Sequence, residues 1–191
     1  MAIVRLPREH HAEMPWANGL GVTREIAADR APGASRAPFL WRASMADLAG
    51  DGPFSILPDV DRVLVLLEGA DVALAIDGAS PAPLAAREAI AFAGDVPVHL
   101  TMGPGPGADL NLMWDRTRAE GDAAVLAAGA TVGLAGLEAA VAVALDDAVV
   151  VDADGASHAL RPLDALLVRG TDGLSVDDGA VWVGRVRLRS R

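Results

Sequence analysis

Apolar residues in this chain come in short runs, each cut off by Gly, Pro or Asp. RVLVLLEG (62–69), DVALAIDG (71–78), AIAFAGD (89–95), VPVHLTMGPGPG (96–107) and ADLNLMWD (108–115) show the pattern. Runs of this length bounded by turn residues read as β-strands. The Ala-rich pieces AAREAIAFA (85–93) and LAGLEAAVAVAL (134–145) have helical propensity. Their close turn spacing favours strands there too. GPGPG (103–107) suits neither a helix nor a central strand. EGAD (68–71) reads as a hairpin turn, and Asp77-Gly78 as the next one.

Strict alternation appears near the start. Gly21, Thr23 and Glu25 share one face of a strand, and Val22, Arg24 and Ile26 the other. Further on, Trp41, Ala43 and Met45 alternate with Arg42 and Ser44. The apolar set must pack, which leaves Arg42 and Ser44 side by side on the opposite face. Asp51-Gly52-Pro53 is expected to be a turn, with Phe54-Ser55 entering the next strand. In the run before Trp114, Asp109, Asn111 and Met113 share a face.

The pattern also echoes itself. VALAIDGAS (72–80) is matched by VVVDADGAS (149–157), and each is followed at nearly the same distance by a Gly and an Asp. This favours a structural duplication. The polar stretch RTRAEGDAA (116–124) marks the join. The expected division is a unit over 1–118 that carries the polar motifs, and a shorter, plainer unit over 119–191 packed against it.

Composition narrows the chemistry. The 191 residues are 52% hydrophobic, enough for a sizeable core, and the net charge is -10. That charge argues against nucleic acid or an anionic membrane as partner. No apolar run is long enough to span a membrane, and MAIVRLPREHHAE lacks the apolar segment of a secretory signal. A cytoplasmic protein is expected. Cys, Lys and Tyr are absent, which removes thiolate chemistry, Schiff bases, P-loops and phenolic acids. Through Arg62 there are seven Arg against eight acids, and after it nine against eighteen. The Arg residues kept in the near-neutral opening third are therefore the informative ones.

A guanidinium binds a carboxylate through two parallel hydrogen bonds. Arg24, Arg42 and Arg62 are the candidate contacts, with Arg42 favoured by strand alternation. Asn18, Thr23, Ser44, Ser55 and Asn111 would add neutral hydrogen bonds. Gly21 belongs to the same motif. Glu25, Asp61 and Asp109 would orient the arginines, and Asp61-Arg62 reads as a local ion pair. Trp16 and Phe54 would wall a pocket, whereas Trp41 suits a core. Metal binding is not expected. His10 and His11 are adjacent, and His99 and His158 stand alone, so no metal-ligating spacing exists. No Gly-x-Ser-x-Gly elbow supports a serine nucleophile.

At MPWANGLGVTREI, FLWRASMADL, DGPFSILPDVDR, LVLLEG, FAGDVPV and GPGADLNLM the sequence resembles the HutD/Ves family of bacterial cupin-type proteins. The matches run in family order from Met14 to Trp114. Two positions depart from the family pattern, which has Lys where Ala17 stands and Gly where Leu20 stands. The resemblance implies an all-β bicupin, two double-stranded β-helix (RmlC-like jelly-roll) barrels in one chain, without metal or other cofactor. It further implies a non-enzymatic regulator of histidine utilisation that senses a small carboxylate intermediate such as N-formylglutamate. Two other readings stay open: a metal-independent isomerase or hydrolase acting on a small acid, with Glu25 or Asp109 as general base, and a Ves-like stress-response or interaction protein. The plain second unit would then be a docking or homodimer face.

Overall fold

The structure, a computed structural model, describes residues 2–16, 21–30, 33 and 35–190. The described residues form strands, with one short 3-10 turn at Arg8–His10. In chain order the first strands are β1 (Ala2–Leu6), β2 (Ala12–Pro15), β3 (Gly21–Asp29), β4 (Trp41–Leu48), β5 (Gly52–Pro53) and β6 (Val60–Glu68). β7 (Ala73–Ile76), β8 (Ala82–Pro83), β9 (Ala89–Ala93), β10 (Val98–Thr101) and β11 (Gly107–Asp115) follow. The rest are β12 (Ala119–Ala127), β13 (Thr131–Gly133), β14 (Ala139–Ala144), β15 (Ala148–Asp152), β16 (Ser157–Leu160), β17 (Ala165–Arg169), β18 (Gly173–Asp178) and β19 (Ala180–Leu188). Both Ala-rich pieces are strands, β9 and β14. No helix among the described residues is long and apolar enough to cross a membrane.

The chain divides into a unit over Ala12–Arg118 and a unit made of Met1–His11 with Ala119–Arg191. Each holds two antiparallel sheets. In the first unit the strand orders are β2-β3-β4-β11-β6-β9 and β5-β10-β7-β8. In the second they are β1-β17-β14-β19-β12 and β13-β18-β15-β16. The order β4-β11-β6-β9 in one unit matches β12-β19-β14-β17 in the other, and β5-β10-β7-β8 matches β13-β18-β15-β16. The DGAS echo falls in the β7–β8 and β15–β16 connections, which occupy the same place in this order. This repeated order is compatible with a bicupin.

One turn and one boundary differ from the sequence expectation. EGAD is not a hairpin turn. β6 pairs with β11 and β9, whereas β7 pairs with β10 and β8, so EGAD carries the chain from one sheet to the other. Asp77 and Gly78 do form the hairpin turn between β7 and β8. Both have positive φ, 51° and 75°, and the Ala79 amide donates to the Ile76 carbonyl. Such a pair matches the right-handed twist of the flanking strands. The division at 118 and 119 left the first eleven residues with the earlier unit. Instead β1 pairs with β17 along its whole length, from Ala2 opposite Arg169 to Leu6 opposite Ala165. A free edge strand is open to unwanted pairing, and β1 covers this one.

The two interiors differ. In the second unit Ala140, Ala142, Leu166, Val168, Val181 and Val183 of one sheet meet Val150, Leu160, Leu174 and Val176 of the other, an apolar filling throughout. In the first unit Leu48, Leu64 and Leu66 meet Leu74, Val98 and Leu100 in the same way. The remainder of that interior is a cavity.

Candidate functional site

The ladder of the six-stranded sheet decides which side chains meet. Met113 on β11 lies opposite Arg42 on β4 and opposite Arg62 on β6, and Arg62 lies opposite Phe92 on β9. Directly opposed residues project to the same face. Arg42, Met113, Arg62 and Phe92 therefore form one row. Glu25, Ser44, Asn111 and Leu64 form the next, and Thr23, Ala46, Asp109 and Leu66 the third. This face lines a cavity of about 410 Å³. Trp16, Thr23, Arg42, Ser44, Arg62, Asn111 and Met113 contribute to it, with Leu48, Phe54, Ser55, Leu57 and Leu100 closing it.

Arg62 is the most enclosed cation of the pocket, only 4% exposed. Its guanidinium carbon sits 4.4 Å from the centre of the Phe54 ring and 4.3 Å from that of Phe92. The rings meet edge to face at 6.2 Å, so the guanidinium lies in the corner between them. Such contacts add roughly 0.5–2 kcal/mol each and hold the group in place. Burial pulls the Arg62 pKa down to about 10, with Asp109 opposing, so the group stays cationic at neutral pH. Its Nε has no hydrogen-bond partner among the described residues.

Asp109 is fully buried. Its Oδ1 accepts a hydrogen bond of 2.5 Å from Asn111 Nδ2, while its Oδ2 has no hydrogen-bond partner among the described residues. Desolvation pushes its pKa up to about 7; Arg62, the Asn111 amide and the backbone at Ala46 pull it back. Asn111 is 4% exposed, lines the cavity, and its own buried Oδ1 has no donor among the described residues. Arg42 Nε lies 3.1 Å from Glu25 Oε2 without the alignment of a hydrogen bond, and its Nη2 contacts Met14 Sδ at 3.9 Å. Burial lowers the Arg42 pKa, and Glu25 opposes this. Glu25 also takes a 2.5 Å bond from Arg30, so it lies between the two arginines.

The mouth is shaped by the opening motif. The Trp16 indole donates to Thr23 Oγ1 at 2.8 Å, and the Trp16 amide donates to the Gly21 carbonyl at 2.9 Å. A Cβ at Gly21 would stand 2.5 Å from the Asp47 carbonyl oxygen and 3.0 Å from the Trp16 ring. Gly21 thus permits the close approach of the indole. A bulge follows, where the pairing of β3 with β4 shifts between Glu25 and Ala27.

Two expected contacts lie elsewhere, and one expected strand is a loop. Arg24 projects to the opposite face and pairs with Asp47 at 2.6 Å and Glu13 at 3.1 Å. Asp61 likewise alternates away from Arg62. It lies 3.0 Å from Arg116, so no Asp61-Arg62 pair forms and Asp109 is the acid beside Arg62. Phe54 and Ser55 follow β5 as a loop rather than entering a strand; β6 begins only at Val60. Asn18 lies outside the described residues, as do Ala17 and Leu20. Trp41 is fully buried on the opposite face, a core residue. Phe92 was not anticipated. It sits thirty positions from Arg62 in an Ala-rich run, and only strand pairing brings it there. Among the described residues no cluster of three or more His, Asp or Glu is arranged to hold a metal ion.

The family model HutD matches residues 8–182. The chain belongs to the HutD family. A Protein Ves from Citrobacter koseri is 45% identical over 54% of this chain and 53% of its own length. A 21.2 kDa protein of the hutC 3' region of Pseudomonas putida is 35% identical over 57% and 56%. The chain thus spans about half the length of the curated relatives it matches. The solved structure of HutD from Pseudomonas fluorescens aligns over 99% of this chain and 100% of its own, with 27% identity and a TM-score of 0.86. A cupin barrel-domain protein from Leptotrichia buccalis, 8% identical, aligns over 88% and 89% with a TM-score of 0.55, which shows the cupin fold alone. The resemblance seen from Met14 to Trp114 thus extends, as a family match, into the second unit of this HutD-family cupin.

Proposed function

We propose that this HutD-family cupin is a non-enzymatic cytoplasmic sensor that binds a small carboxylate metabolite and tunes histidine utilisation, with N-formylglutamate the leading candidate. The observation that carries this reading is Arg62. It is a buried cation with an unpartnered Nε, held at an otherwise half-apolar cavity, and its acidic neighbour is raised to a pKa of about 7. A carboxylate in the cavity would complete its hydrogen bonding and balance its charge. Arg42 offers a second cation in the same row. Two relatives, HutD of Pseudomonas fluorescens and a protein of the hutC 3' region of Pseudomonas putida, support the link to histidine utilisation.

A second reading is a metal-independent enzyme in which Asp109 moves a proton. Its raised pKa favours this, but its carboxyl is not among the groups lining the cavity. Calorimetric titration with N-formylglutamate, urocanate and glutamate, followed by NMR for turnover, separates the two. The expected result is binding of one ligand without conversion, weakened at least tenfold in Arg62→Gln. Turnover would replace the sensor with the enzyme. Silence from all three would favour an interaction protein.

A further inference from the structure

Arg62 serves two neighbourhoods at once. It lines the cavity, where a carboxylate would sit, and its charge also acts on Asp109, which does not line it. Asp109 has no exposed surface, so a bound ligand does not touch it. The negative charge of Asp109 is answered by Arg62 from β6, by the Asn111 amide on β11 and by the backbone at Ala46 on β4. The other charged groups on this inward face are Glu25 of β3 and Arg42 of β4, which meet at 3.1 Å. The facing sheet brings apolar side chains, Leu74 of β7 with Val98 and Leu100 of β10. Asp51 lines the cavity as well and accepts from the Met102 amide at 2.8 Å. A carboxylate placed on Arg62 would therefore set two anions around one guanidinium whose position two aromatic rings fix. Away from water, like charges sharing one cation favour protonation of the more buried of the two.

We infer that Asp109 is a positioning residue that couples the pocket to a proton: a carboxylate seated on Arg62 replaces the Asp109 charge, and Asp109 takes up one proton from solvent. This rests on the carboxylate-binding reading above and deepens it. Asp109 Oδ2 has no hydrogen-bond partner among the described residues and is the oxygen open to that proton. Burial already raises the Asp109 pKa to about 7 without ligand, and a second negative charge beside Arg62 pushes it further up. Coupling of this kind is reciprocal, so protonation of Asp109 strengthens anion binding by the same factor. Affinity is highest where Asp109 is protonated. It falls as pH rises through about 7, by up to about tenfold per pH unit.

The test is calorimetry of N-formylglutamate, urocanate and glutamate at about pH 7.5 in HEPES and in Tris, whose unlike ionisation enthalpies let the difference in heat count protons. Wild type is expected to take up about half a proton or more per bound carboxylate, and to lose at least fivefold in affinity from about pH 6.5 to about pH 8.5. Asp109→Asn is a neutral mimic of the protonated acid. It should take up no proton, keep its affinity level across that range, and bind at the upper pH at least as tightly as wild type. If Asp109 merely supports the fold, Asp109→Asn binds more weakly at every pH, which overturns the inference. Equal wild-type heats in the two buffers also overturn it and leave the carboxylate reading standing. Uptake that persists in Asp109→Asn assigns the proton to another group, with the same consequence. Failure of all three compounds to bind removes the carboxylate reading and the inference with it. The wild-type comparison requires no variant to fold.

Discussion

At the scale of single residues, Asp109 and Arg62 are the pair to test. The Asp109 pKa is raised to about 7 chiefly by desolvation, so the fold prefers its protonated form. Its contribution to stability is fully present below the ordinary carboxylate range near 4 and is lost as pH rises to about 7, by at most roughly 1.4 kcal/mol per pH unit. Asp59 acts in the opposite sense. Hydrogen bonds from Arg36 hold its pKa at about 2, so its contribution is present above about 4 and is lost as pH falls toward 2. Chemical denaturation between pH 4 and 8 should show a decline in wild type that Asp109→Asn lacks. A profile unchanged by this substitution would contradict the raised pKa. Carboxyl NMR gives a second reading: Arg62→Gln should move the Asp109 titration still higher, because the guanidinium is the nearest charge favouring its ionised form. At this scale the sequence alone was a partial guide. Alternation put Arg42, Ser44 and Asn111 correctly on inward faces, since period 2 is a local property. It did not rank Arg62 above Arg42, because burial comes from Phe54 and Phe92, which reach Arg62 only in the folded sheets.

At the scale of elements, the mouth of the pocket depends on the start of β3. Gly21→Ala would drive a Cβ against the Asp47 carbonyl oxygen, a backbone atom that cannot swing aside, and against Trp16. Overpacking of this kind costs roughly 1–3 kcal/mol. The expected result is a lower denaturation midpoint and a changed Trp fluorescence; a midpoint equal to wild type would show that β3 and β4 separate easily there. In the second unit Asp164 plays the comparable organising part. It accepts from the Arg5 side chain at 2.7 Å and from the amides of Arg8 and Arg161 at 3.1 and 3.2 Å. Asp164→Ala leaves these donors without their acceptor, at a cost of about 1–3 kcal/mol. Faster hydrogen exchange in β1 and β17 is the expected readout, and unchanged protection there would refute this role. Neither the role of Asp164 nor the pairing of β1 with β17 was legible in the chain, because the two strands are separated by most of its length.

At the scale of the whole molecule, one strand order occurs twice, and the first copy holds the cavity beside Arg62. Short apolar runs, turn residues and the DGAS echo were sufficient to determine an all-β, duplicated fold, since each reports local backbone preference and strand period. The polar motifs between Trp16 and Asn111 likewise showed which half carries the pocket. Tertiary structure alone decided the rest. It sent EGAD between sheets, gave β1 to the later unit, paired Arg24 with Asp47 and Asp61 with Arg116, and closed two rings around Arg62. Each depends on which distant strands become neighbours, and on how completely their packing removes water from a charge.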